Sequence, residues 1–290
     1  MRHAILALLL GSAIPGGAQQ APVARAVPPE RAGPSALRLE GAPVQGGLVR
    51  GHVRAGTRLT LDDRDVPVAA DGTFLLGFDR DAPATMRLVE HFAGLRGDAL
   101  TATTSVAVAP RAWRIERLDT LPKFPAPDPV MAKLRPPELA QIVAARATVT
   151  DAQGWRQRFV WPARGRISGL FGAQRIYRGE PGSYHSGTDI ALPVGAPVAA
   201  PADGVVILAA DHPFTLEGNL LMIDHGMGLN SAFLHLSRID VKVGDHVRQG
   251  QPIGAVGQSG RATGPHLHWS LRWRDARLDP LLVTGPMPGR

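Results

Sequence analysis

Short apolar runs separated by Gly, Pro and Asp dominate the chain, and their length predicts strands over most of it. Between residues 37 and 110 the strand candidates are residues 48–53 and 57–61, the second with polar and apolar positions alternating. A further pair of runs, residues 66–68 and 74–76, flanks the turn signal Asp71-Gly72. This region reads as a small β-sandwich. After Trp161-Pro162 the pattern resumes as residues 205–208, 220–223, 232–234, 253–256 and 266–271, each bounded by Gly-rich turns. A second β domain is expected at residues 161–285.

Between them stand Pro122, Pro125, Pro127, Pro129, Pro136 and Pro137, spaced too closely for a helix or a central strand to run through them. Residues 111–160 are therefore a Pro-rich connector. Glu138 to Ala145, which follow the last two prolines and are mostly good helix formers, predict one short helix beginning there.

The first eighteen residues run from Arg2 and His3 through the apolar stretch 4–10 to the small residues Gly16 and Ala18, the order of a secretory signal peptide. Residues 19–36 read as linker. No later segment supplies the roughly 18 to 20 apolar residues of a membrane span, so stable membrane insertion is not expected. Cysteine is absent although an exported chain could form disulfides, which removes thiol proteases, cysteine-based zinc sites and lipidation at an N-terminal Cys. The net charge of +7 is spread along the chain with no basic run or recognition helix, so no nucleic-acid partner is expected. Any metal must be held by His, Asp or Glu.

Seven of the ten histidines lie from His185 onward, and two close pairs stand out. His185 and Asp189, four residues apart, fall where Gly187 and Thr188 favour a turn entering a strand. In His266-Leu267-His268-Trp269-Ser270-Leu271, strand alternation sends His266, His268 and Ser270 to one face and Leu267, Trp269 and Leu271 to the other. Two imidazoles on one face, with a carboxylate and a third imidazole, form a donor set suited to zinc rather than to calcium or magnesium. Three protein ligands drawn from His185, Asp189 and one of the two strand histidines would leave a position open for water, as catalytic zinc sites do. His235, alone between Leu234 and Leu236, reads by itself as a core histidine.

The pattern His-x-x-x-Asp at residues 185–189 and His-x-His at residues 266–268, with the Gly-rich run 254–260 and His235-Leu236-Ser237, resembles the lysostaphin-type (LytM-like) zinc metallopeptidases. The likeness spans about residues 159–284. It implies an all-β fold: a LytM-type β-sheet peptidase domain, similar to a duplicated hybrid motif, behind the β-sandwich and connecting helix. It implies Zn2+ held by His185, Asp189 and His268, with His266 and His235 as catalytic histidines assisting the attacking water. The implied activity is endopeptidase cleavage of peptidoglycan stem or cross-link peptides, in a protein secreted across the inner membrane to the periplasm. A non-catalytic peptidoglycan-binding protein or activator of a cell-wall hydrolase is the alternative. Relatives often carry Tyr two positions before the histidine of the His-Leu segment. Here that position is Phe233, and only Tyr177 and Tyr184 offer a phenol.

Overall fold

The computed structural model describes residues 31–120 and 129–288. The expected signal peptide lies outside these residues, as do most of the linker and Pro122, Pro125 and Pro127. The described residues belong to one compact unit, Arg31–Arg290.

In the N-terminal half, two small sheets face each other. One contains Leu48–His52 flanked by Arg38–Glu40 and Thr73–Gly77; the other centres on the long hairpin Thr85–Ala93 and Ala99–Ala107, extended by Arg58–Leu61 and Arg64–Val66. Alternation drives the packing: Leu59, Leu61, Phe74, Leu76, Phe78 and Leu88 are buried in a common core. The Asp71-Gly72 turn forms as the sequence predicts, with the Asp71 carboxylate accepting from Thr73 N–H at 2.9 Å.

The site sits on an antiparallel sheet of eight strands, numbered here β1 Arg166–Gly169, β2 Thr188–Ala191, β3 Gly204–Ala209, β4 Asn219–Asp224, β5 Leu229–Leu236, β6 His246–Val247, β7 His266–Trp273 and β8 Ala276–Leu278. The order is β1-β2-β7-β5-β4-β3-β6, with β8 paired to the end of β7. One face carries Ile190, Leu221, Ile223, Phe233, Leu267, Trp269 and Leu271 into the same core cluster that holds the N-terminal apolar residues. Gly77 illustrates the close fit between the halves: a Cβ there would lie 2.9 Å from the Cβ of Trp273. One ion pair, Arg111 to Asp279 at 2.8 Å, reinforces the join, and Arg80 donates across it from Nε to Gly172 O and from Nη2 to Gln174 Oε1, both at 3.0 Å.

The connecting helix departs from the expectation. α1 spans Pro129–Ala147 and runs through Pro136 and Pro137 instead of starting after them. Each proline removes one i to i−4 donor, freeing the carbonyls of Ala132 and Lys133, but all four residues are exposed and water can satisfy those oxygens. Tertiary contacts hold the helix. Ile142 and Ala145 pack on Ile207, Leu208, Leu220, Met222 and Ala232. Arg135 forms a two-pronged ion pair with Glu217, at 2.5 and 2.7 Å, and buried Glu138 accepts from Thr215 N and Oγ1, both at 2.6 Å.

Candidate metal centre

Register brings the first two donors together. Asp189 on β2 lies directly opposite His268 on β7, and His268 in turn opposite Leu234 on β5. His185 arrives from the loop before β2, where its N–H donates to Ala173 O and its carbonyl accepts from Gly172 N–H, both at 2.8 Å. The three donor atoms converge: Asp189 Oδ1 is 3.0 Å from His185 Nε2 and 2.9 Å from His268 Nδ1, and the two nitrogens are 3.1 Å apart. This is the one group of three or more His, Cys, Asp or Glu among the described residues with metal-binding spacing.

Glycines make the convergence possible. A Cβ at Gly187 would lie 2.5 Å from Trp269 O and 2.7 Å from His268 Nε2, and one at Gly169 would lie 2.2 Å from Asp189 Oδ2. The donor set fits zinc. A tetrahedron with bonds of about 2.0 Å has edges of about 3.3 Å, close to the separations found here. His185 Nδ1–H donates to Leu170 O at 3.0 Å, which fixes the ring with Nε2 turned inward, the support that metal-binding histidines usually receive.

The charges follow from burial and from one another. Burial opposes ionisation of Asp189, yet hydrogen bonds from His185 and His268 outweigh it and hold the carboxyl well below its usual range. Burial likewise works against a charge on His185, but Asp189 prevails and raises its pKa; burial lowers that of His268. Without a cation, the Asp189 carboxylate therefore favours a proton on His185 over one on His268.

Two further histidines face this cluster. His266 Nδ1–H donates to Gly264 O at 2.8 Å, which turns Nε2 toward Asp189 Oδ1, 3.8 Å away. His235 Nδ1–H donates to Ser259 O at 2.8 Å, and its ring centroid lies 4.8 Å from that of His266 and 6.3 Å from that of His268. Burial pushes the His235 pKa down to about 4, so the ring is neutral with a free Nε2 lone pair near pH 7.

His235 reaches the site because β5 bulges. Its register with β4 slips between Asn219 and Leu221, and His235 has φ of 63°. The extra residue breaks the alternation, so Phe233 and Leu236 both enter the core while His235 turns to the histidine face. His235 is thus buried and hydrogen-bonded, as its apolar neighbours suggest, yet its ring faces the other histidines. Phe233 is fully buried opposite Trp269, and the Tyr184 hydroxyl donates to Asp79 Oδ1 at 3.0 Å, so neither extends the histidine cluster. The carbonyls of Leu170, Ser259 and Gly264, and Glu217 O, which accepts from His235 N–H at 2.8 Å, were not foreseeable, because a backbone acceptor leaves no residue-type signal.

Comparison with known proteins places this geometry. The family model described as Peptidase family M23 matches residues 183–280. Peptidoglycan DD-endopeptidase ShyA of Vibrio cholerae is 41% identical over 135 residues, covering 45% of this chain and 30% of the relative. DD-carboxypeptidase/endopeptidase Mpg of Neisseria meningitidis is 40% identical over 127 residues, covering 42% of this chain and 28% of the relative. The matched part thus spans less than a third of these curated relatives. Among solved structures, a putative peptidase M23 from Pseudomonas aeruginosa is 30% identical, covers 84% of this chain and 95% of its own, and superposes with a TM-score of 0.62.

Proposed function

Because the chain belongs to peptidase family M23, we propose that it is a zinc-dependent endopeptidase hydrolysing peptide bonds in the stem or cross-link peptides of peptidoglycan. The observation that carries this reading is the convergence of His185 Nε2, Asp189 Oδ1 and His268 Nδ1 within 3.1 Å of one another, flanked by two more imidazoles. The relatives named as peptidoglycan endopeptidases support the substrate class. The same substrate implies an extracytoplasmic location, and residues 1–18 support export to the periplasm. Among the described residues, no helix is long and apolar enough to cross a membrane.

His185, Asp189 and His268 would hold zinc, which when bound would supply a Lewis acid for the scissile carbonyl and lower the pKa of water to about 7. His266 takes the proton of the attacking water at Nε2, which lies 3.8 Å from Asp189 Oδ1, and returns it to the leaving amine. His235, kept neutral by burial with Nδ1–H held by Ser259 O, offers Nε2 as a second acceptor beside His266, and donates to developing negative charge only while the water's proton resides there and not on His266. The test is product analysis of purified peptidoglycan incubated with the mature chain, with and without a zinc chelator, alongside metal content. New amino termini that disappear with chelator are expected. Zinc-free, inert protein that still binds the polymer would transfer the reading to a non-catalytic binding or activator role.

A further inference from the structure

The histidine face of the sheet continues past the metal centre. Along β7, His266, His268, Ser270 and Arg272 share one side, so Arg272 stands about 13 Å beyond His268, at about 3.3 Å per residue. Ser270 between them is half-buried, and Asn230 of β5 pairs opposite Arg272. There the surface opens into a cavity of about 930 Å³ between the C-terminal end of α1 and the ends of β4, β5 and β7.

Its charges are unbalanced. Arg146, Arg156, Arg272 and Arg274 line it against two carboxylates, Asp224 and Asp275. Asp224 is already satisfied, by Thr150 Oγ1 at 2.5 Å, Thr150 N–H at 3.3 Å and Gly226 N–H at 3.2 Å. Asp275 is exposed and shared between Arg272 at 3.6 Å and Arg64 at 3.5 Å. Arg156 is taken by Asp71 at 2.9 Å. Arg146 has no carboxylate partner among the described residues, and its Nε is buried with no hydrogen-bond acceptor. Burial and the repulsion of Arg272 and Arg277 push the Arg146 pKa down to about 10, yet it remains a cation at neutral pH. A buried guanidinium donor without an acceptor costs free energy that an anion would recover, and a planar fork suits a carboxylate.

We infer that Arg146 and Arg272 form a carboxylate subsite for the peptide bound at the metal centre. The spacing sets what it reads. A carboxylate about four extended residues from the bond held at His268 reaches this pair, so the subsite selects peptides with a free carboxyl at that distance. The inference rests on the peptidase reading, because it takes the ligand to be the wall peptide.

Binding to the metal-free chain separates the two ideas. Calorimetry would compare a cross-linked muropeptide bearing free terminal carboxylates with the same compound converted to carboxamides. Wild-type protein should bind the carboxylate form about tenfold to a hundredfold more tightly, the range for one charge-assisted contact. Arg146→Gln and Arg272→Gln should erase that preference while leaving carboxamide affinity unchanged, and Arg146→Lys should restore part of it. Equal affinity for the two forms, binding of neither, or loss of carboxamide binding in both Gln variants would overturn the subsite. Cleavage of the same compounds after zinc loading tests the peptidase reading by itself: discrimination in binding without cleavage would sink that reading and leave the subsite standing.

Discussion

His225 should set how the stability of this fold depends on pH. It is fully buried beneath the sheet, with Nδ1–H donating to Asp203 O and Nε2 accepting from Ser231 Oγ–H, both at 2.8 Å, and the Phe159 ring edge-on at 4.8 Å. Both nitrogens are used in the neutral form, and a second proton would oppose the serine hydroxyl. Burial accordingly lowers the ring's pKa from 6.5 to about 4. Between those values the unfolded chain binds a proton that the native state refuses, so stability is full above 6.5 and falls as pH drops toward 4. At about 1.4 kcal/mol per pH unit, lowering the pH from about 7.5 to about 4.5 should cost about 2 to 3 kcal/mol through this residue alone. Other groups titrate over the same range, so the comparison must be with His225→Gln, which is neutral at every pH. Urea denaturation of both chelator-treated proteins at several pH values gives the difference. Whatever the substitution itself costs, the gap between the two stabilities should narrow by that amount toward pH 4.5. Parallel profiles would refute the assignment of a neutral, proton-refusing His225.

Other outcomes concern the site. His266→Ala should lower turnover about 100-fold or more with zinc retained, which elemental analysis and peptide release check together. Asp189→Ala should abolish stoichiometric zinc, since it removes the one oxygen that both ligand imidazoles face. Zinc affinity in a competition titration should fall with decreasing pH, because Asp189 raises the pKa of His185 and binding competes with protonation there. Gly187→Ala should destabilise the fold by about 1 to 3 kcal/mol and weaken zinc binding, its methyl falling 2.5 Å from Trp269 O and 2.7 Å from His268 Nε2; unchanged metal content and melting would remove that glycine from the account.

What could be read in advance depended on whether the chain kept its local period. The β7 segment does: Leu267, Trp269 and Leu271 are buried and His266 and His268 share the opposite side, as alternation requires. The Asp189–His268 pairing is a matter of register, which no spacing within either segment reveals, so the ligand set came from resemblance and not from periodicity. The burial of His235 is legible from its neighbours but the side it faces is not, because the bulge at φ 63° reverses it. The start of α1 was misplaced for the opposite reason. Proline chemistry disfavours the helix locally, but contacts distant in sequence, Arg135 with Glu217 and Glu138 with Thr215, decide the matter. Likewise the Arg146 and Arg272 pairing joins a helix end to a strand end, 126 positions apart in the chain by their numbers.

Three histidines of the centre, His185, His235 and His266, are aimed by main-chain oxygens, those of Leu170, Ser259 and Gly264. Every amino acid supplies that oxygen, so exchanging Gly264 or the exposed Leu170 need not disturb the rings. Ser259, by contrast, also bridges Asn219 N–H and Leu236 O through its Oγ, and adding or deleting one residue in the connecting loops would move the acceptor itself. Point-mutation scanning should therefore overlook the acceptors at Leu170 and Gly264, though not the one at Ser259. Insertions and deletions are the changes to which the centre is fragile, and loop length is the variable to hold constant when it is transplanted or redesigned.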